Sequence, residues 1–433
     1  MSSSAISAVV ARQILDSRGR PTVEADVQLA DGSRGRACAP SGASRGRHEA
    51  WELRDGDPSH YEGLSVRRAV ANANAELANA VIGQSAVEQA RVDDVMREAD
   101  GTPALERLGA NAVLAVSMAT ARAAAAHRSI PLYEHLADLA GTAMSMPMPM
   151  TNILSGGAHA GRGMDLQDFL AIPVGAKSYS EALEMIARIR LSSARLMDER
   201  GLSTLLADEG GLSPGFGKAR DAMDLMIRSF ETAGLRPGED VAIALDVAAS
   251  ELFEDGVYRL DGEGLTLTGE EMIEFILDLA SHYPVVSIED PLDQDDWENW
   301  RTFTAQLPRV QIVGDDLFVT NVGRIEDGIA RGAANAALIK LNQNGTLSGT
   351  IEATAAARAA GYATVVSARS GETEDTFIAD LSVGLGAGQI KIGSVRSTER
   401  LAKYNQLLRI EEDAKLGFAG VRGIFGLNVP IAA

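Results

Sequence analysis

The chain reads as an α/β protein in which a small α+β domain precedes a parallel (β/α) barrel. Two observations carry this. From residue 241 onward, near-continuous apolar runs alternate with amphipathic stretches, the pattern of a parallel sheet covered by helices. Before residue 130 the texture differs, with alternating strand-like segments first and Ala/Leu/Val/Glu/Arg-rich helical segments after. An open doubly wound sheet would give the same alternation, but its nucleotide-binding turns are missing. Gly215-Phe216-Gly217-Lys218 resembles the end of a phosphate loop, yet Leu212 and Ala219 stand where Gly and Ser/Thr are needed. Gly384-x-Gly-x-Gly388 has the wrong spacing for a dinucleotide turn. A closed barrel is the better fit. The 433 residues would suggest about three domains at ~150 each, but a barrel alone uses ~250.

The elements follow in order. Val23, Ala25, Val27 and Leu29 alternate with polar neighbours in a strand-like zone that starts at Ala5, and Asp31-Gly32 closes a turn. Residues 41–48, Ser-Gly-Ala-Ser-Arg-Gly-Arg-His, are too polar for a core and read as a mobile loop. Helical spacing takes over from Val66 to Arg128. Downstream, apolar runs over 241–245, 284–288, 310–314, 336–339 and 362–368 end at Asp246, Glu289-Asp290, Asp315-Asp316, Lys340 and Arg369-Ser370. Helical segments lie between them, and the one over 268–282 opens with Thr268-x-x-Glu271, the pattern of a capping box.

Composition narrows the function. Hydrophobic residues make up 45% and charged residues 23%, ordinary for a globular chain with length for a large core. Lys+Arg 40 against Asp+Glu 60 leaves a formal charge of -20, which disfavours nucleic acid and anionic lipid as partners. The same excess of carboxylates suits a divalent cation. Cys38 stands alone, excluding an intrachain disulfide framework and a cysteine-rich zinc site. The opening Met-Ser-Ser-Ser-Ala-Ile-Ser lacks the features of a secretion signal, and no apolar run approaches the ~20 residues of a membrane span. A cytoplasmic location is the expectation.

In a (β/α) barrel the C-terminal strand ends ring one mouth, so charged residues that end successive strands converge. Asp246, Glu289 and Asp315 would face one another there, and three close carboxylates stay ionised only around a cation. Oxygen-only ligands select Mg²⁺ or Mn²⁺ over Zn²⁺. Lys340 ends the next strand, beside the metal and Lys391. Both positive neighbours are expected to lower its pKa and fit it as a general base. Taken singly, each residue reads as an N-cap, a turn residue or a solvated rim lysine. Three acids and two lysines after separate apolar runs argue against five coincidences. Residues 205–211, Leu-Leu-Ala-Asp-Glu-Gly-Gly, form another strand-like run ending in acids, with glycines for close backbone approach. Glu209 there is a proton donor if desolvated, or else part of an acidic turn before Pro214. His159, in the Gly-rich stretch 155–160, reads as a structural or a catalytic histidine.

These residues sit in a longer series of motifs. Ala11-Arg-Gln-Ile-Leu-Asp-Ser-Arg-Gly19, Pro40-Ser-Gly-Ala-Ser44, Leu53-Arg-Asp-Gly-Asp57 and Asp208-Glu-Gly-Gly211 come first. Ser287-Ile-Glu-Asp290, Gly314-Asp-Asp-Leu-Phe-Val-Thr-Asn321, Arg369-Ser-Gly-Glu-Thr-Glu-Asp375 and Ala402-Lys-Tyr-Asn-Gln406 follow. In this order, from about residue 5 to 413, the chain resembles the enolase family. The resemblance implies an N-terminal α+β lid domain over residues 1–135 and a barrel with its tail over 136–433, in ββαα(βα)₆ order. It also implies a cytoplasmic homodimer, sometimes assembled further, with a cell-surface or secreted pool in some members. The implied activity is the Mg²⁺-dependent dehydration of 2-phosphoglycerate to phosphoenolpyruvate in glycolysis. By the same resemblance Asp246, Glu289 and Asp315 hold the first Mg²⁺, Lys340 removes the α-proton and Glu209 protonates the departing hydroxyl. Arg369 and Ser370 match phosphate contacts, Lys391 a carboxylate contact, and His159, Gln167 and Asp168 further substrate-side positions. Ser41 matches a lid residue that helps bind a second Mg²⁺ when the loop closes and excludes water.

Several positions depart from the family pattern. Ala368 stands where an active-site His precedes Arg369-Ser370. Asp168 replaces a Glu, Ala158 another Glu, and Arg45 a Thr in the lid. Loss of one well-placed polar group typically costs ~3 kcal/mol of transition-state stabilisation. Two enzymatic readings follow. One is a functional but divergent enolase. The other is an enolase-like enzyme of phosphonate metabolism, of the carboxyphosphonoenolpyruvate synthase type, acting on a modified phosphorus substrate. The second expects a roomier, less acidic, arginine-rich phosphate side, with which Ala158, Ala368, Arg45, Arg47 and Arg162 agree. A third reading, a surface-binding scaffold, leaves the acids and Lys340 unexplained, and the end Pro430-Ile-Ala-Ala433 lacks the terminal lysine of plasminogen-binding enolases.

Overall fold

In the computed structural model, which describes residues 2–426, a three-stranded antiparallel sheet with its helices is followed by a closed eight-stranded barrel. Strands β1 (Ile6–Leu15), β2 (Pro21–Leu29) and β3 (Arg34–Cys38) form the sheet. Val23, Ala25, Val27 and Leu29 are all buried, as their alternation requires. β3 carries no such signal, because Gly35 and two arginines interrupt it. Its inner face lies on the helix Ala110–Arg128. A Cβ at Gly35 would stand 2.1 Å from the Ala119 carbonyl oxygen, so glycine lets sheet and helix backbones touch. The helix supplies the other half of that fit with small side chains, Ala112, Ala115, Ala119, Ala123 and Ala124 among them, all fully buried.

The barrel begins with β4 (Met148–Ser155) and β5 (Asp168–Ile172), an antiparallel pair. Two helices, Tyr179–Glu199 and Ala219–Thr232, precede β6 (Ala242–Asp246), which is antiparallel to β5. A short meander follows, β7 (Phe253–Glu254), β8 (Val257–Leu260) and β9 (Leu265–Leu267). Then β10 (Val285–Glu289), β11 (Gln311–Gly314), β12 (Ala336–Ile339), β13 (Ala363–Ser367) and β14 (Gly388–Lys391) alternate with helices and run parallel, β14 closing onto β4. This is the ββαα(βα)₆ order. Below the mouth, Met148, Met150, Leu170, Ile172, Val286, Val313, Leu338 and Val365 fill the lumen, so the barrel is a packed core rather than a pore.

The expected capping box is present: Thr268 Oγ1 accepts from the Glu271 N–H, and Glu271 accepts from the Thr268 N–H. The expected strand at 205–211 is not. Leu206 and Leu212 share a single bridge, and Leu205 and Leu206 are exposed, so their hydrophobicity does not build a ladder. No helix among the described residues is long and apolar enough to cross a membrane. The end at 430–433 lies outside the described residues.

Candidate active site

The charged strand ends do meet at one mouth. Asp246 and Glu289 end the neighbouring strands β6 and β10 and are paired in register. Asp315 follows β11, Lys340 follows β12, Arg369 lies two residues past β13, and Lys391 ends β14. Asp168 arrives by another route. β5 runs against its neighbours, so its first residue, not its last, sits at the mouth opposite Asp246.

The three acids are paired with the two lysines. Lys391 Nζ donates to Asp246 and to Glu289, each at 2.7 Å. Lys340 Nζ donates to Asp315, which also accepts from Gln343 at 2.8 Å. Burial alone would lower both ammonium pKa values. Asp315 reverses this for Lys340 and raises it, while Asp246 and Glu289 hold Lys391 well above the ordinary lysine value. Asp315 and Glu289 raise the Lys340 value, while Arg369 and Lys391 act in the opposite direction, the direction expected of positive neighbours.

The donor set fits a hard divalent cation. Asp246, Glu289 and Asp315 offer carboxylate oxygens only, and Glu289 Oε1 and the adjoining Gln167 Oε1 are buried without a hydrogen-bond partner. Gln167 also donates to Asp246 at 3.3 Å. Ligand-type atoms lie within 4.8 Å of one another in His159–Asp168–Glu209 and in Asp290–Asp315–Asp316, the second sharing Asp315. Asp290 accepts from the Asp315 and Asp316 N–H groups, so it shapes the turn that presents Asp315.

On the opposite wall, Asp168 accepts from Ser155 Oγ at 2.5 Å and holds His159 Nδ1 at 2.9 Å. His159 Nε2 then faces Glu209 at 3.8 Å, and Asn152 donates to the other Glu209 oxygen. Burial would push the imidazole down, but Asp168 and Glu209 carry it up to about 9. Glu209 is buried. Its pKa is nevertheless lowered: His159, Arg400, Lys391 and Lys340 outweigh the effect of burial.

The polar stretch 41–48, expected to be mobile, is docked onto the third wall. Ser41 and Gly371 exchange backbone hydrogen bonds at 2.8 Å, and Ser370 Oγ accepts from the Ala43 N–H. Arg369 reaches Glu49, Asn342 and the Ser44 carbonyl, at 2.8–2.9 Å. A Cβ at Gly42 would lie 2.0 Å from the Arg369 guanidinium, so the loop can cover Arg369 only with glycine there. Ser41 Oγ accepts from Arg54 at 2.8 Å and from Arg18 at 3.2 Å. Ser44 is the lid serine beside Arg369.

The departures divide. Ala368 is buried behind Lys391, and Ala158 lines an open cavity of about 420 Å³ with Gln167, Val247 and Arg259. Arg45 stacks over Trp51 and lines a small cavity with Arg369, Gly42 and Glu49, and Arg47 pairs with Asp293 at 2.8 Å and with Asp295. Arg162 lines the cavity but is largely exposed, 3.5 Å from Glu251. Sequence reasoning missed Glu49, Arg18, Arg54, Asn342 and Arg400. Arg18 stands inside a quoted motif, but nothing in the sequence points its side chain at Ser41 and Ser370.

A family model described as enolase, N-terminal domain, matches residues 6–136, and one described as enolase, C-terminal TIM barrel domain, matches residues 143–422.

Proposed function

The chain belongs to the enolase family and is a lyase of that kind; we propose that it dehydrates 2-phosphoglycerate to phosphoenolpyruvate with Mg²⁺. The observation that carries the reading is the meeting of Asp246, Glu289, Asp315, Lys340 and Lys391 at one barrel mouth. Mg²⁺ held by the three acids would supply the positive charge that lets a proton leave carbon beside a carboxylate. Lys340, once it has given up its own extra proton, takes the α-proton. Lys391 turns from Asp246 and Glu289 to the substrate carboxylate. Arg369 and Ser370 hold the phosphate, and because Glu49 of the lid grips Arg369, phosphate binding is coupled to lid position. Glu209 protonates the departing hydroxyl, and the charged His159, 3.8 Å away, is its proton source. The protein acts in the cytoplasm as a homodimer, with residues 1–135 as lid domain and 136–433 as barrel and C-terminal tail.

Phosphoenolpyruvate formation from 2-phosphoglycerate and Mg²⁺ tests this, beside an Ala368→His variant. Activity within about tenfold of an ordinary enolase supports the reading. Absence of product with persistent α-proton exchange overturns the substrate assignment and keeps Lys340. One observation favours a second reading, a bulkier phosphorus-acid substrate of the phosphonate type: the cavity beside Ala158 and Gln167.

A further inference from the structure

We propose that Arg400 is a positioning residue that sets the anion-binding turn and the proton donor from beneath the mouth. The inference rests on the roles given above to Arg369, Ser370 and Glu209. Arg400 lies in the helix Thr398–Ala414 and is fully buried, a costly place for a charge unless its donors are used. Three of them are. Nη1 donates to the carbonyls of Arg369 at 2.7 Å and Ile392 at 2.9 Å, and Nη2 to the carbonyl of Ser370 at 2.6 Å. One planar fork thus joins the turn after β13 to the chain leaving β14.

Lys403, one helical turn on and also fully buried, differs. It has a carboxylate partner, Glu372 at 3.0 Å. Arg400 has none so close: its Nε has no hydrogen-bond partner, and the nearest acid, Glu399, is 3.6 Å away. Its charge is instead held by the three carbonyls of the turn after β13 and the chain leaving β14. Gly393 makes the approach possible. A Cβ there would stand 2.8 Å from the Glu209 carbonyl oxygen and 3.1 Å from Arg400 Cδ. An ammonium could not reproduce a fork over three carbonyls.

The test compares Arg400→Lys and Arg400→Gln with the parent in full-length protein, using 2-phosphoglycerate and Mg²⁺. We expect KM to rise at least tenfold and dehydration to fall at least 30-fold. Exchange of the α-proton with deuterium at saturating substrate should stay within threefold. An unchanged KM in both variants, or exchange lost in step with dehydration, overturns the proposal. Should both fail to fold, Gly393→Ala must give the same split, and parental kinetics there overturn it. A parent that does not dehydrate 2-phosphoglycerate refutes the functional reading alone. The Arg400 inference is then read from 2-phosphoglycerate binding, where a Kd in Arg400→Lys within twofold of the parent overturns it.

Discussion

Asp168 shows how one methylene changes a site. Its carboxylate is fully buried between Ser155 and His159, so there is no slack around it. Restoring the family's longer acid by Asp168→Glu should overpack that wall and cost about 1–3 kcal/mol in denaturant unfolding. His135 illustrates the opposite electrostatics to His159. Burial first, then the nearby Arg128 charge, push it down to about 4. The unfolded chain binds its proton near 6.5, the folded one only near 4, so stability rises with pH across that window and is level above it. His159, held up to about 9, contributes stability that is full below 6.5 and lost as pH rises towards 9. His135→Gln should flatten the acid slope of the melting temperature and leave the alkaline slope in place.

Strands and helices meet here through small residues. Gly35→Ala would drive a methyl into the backbone of the helix Ala110–Arg128, at 2.1 Å from one oxygen and 2.3 Å from one nitrogen. We expect a loss of about 3 kcal/mol, read by chemical denaturation, because backbone cannot rotate aside as a side chain can. At the helix Gly269–His282, Thr268→Ala removes one half of an exposed capping box and should cost about 1 kcal/mol. A cost near zero would mean that water replaces the cap. The docking of 41–48 has the same logic in a loop: Gly42 admits the Arg369 guanidinium where any side chain would exclude it.

The two structural regions are joined by polar contacts near the mouth and away from it. Asp93, in the helix Gln89–Asp100, accepts from the Ser348 N–H at the start of Leu347–Ala359, so one region caps a helix of the other. Arg47 and His48 tie the lid to Asp293 and Asp295 beyond β10. If the mouth takes up Mg²⁺ as proposed, binding stabilises the entire fold by mass action. Saturating Mg²⁺ should therefore raise the melting temperature of the parent, and Asp246→Ala should abolish most of that rise. An unchanged rise in the variant would place the ion elsewhere.

Periodicity made β2 and the later barrel strands legible, because each buries an apolar run whose end is charged. It also named the acids and lysines of the mouth, since a barrel gathers strand ends whatever their distance in sequence. β3 left no signal and the run 205–211 misled, for related causes: Gly35 trades hydrophobic signal for backbone contact, and Leu205 and Leu206 are apolar without being buried. The direction of the Lys340 pKa shift beside Asp315, the seat of Arg45 over Trp51 and the pairing of Arg47 with Asp293 depend on which groups come within a few ångströms. The same holds for the fork of Arg400. Those distances are fixed by packing between segments far apart in the chain, and Coulomb interactions follow distance, not sequence order.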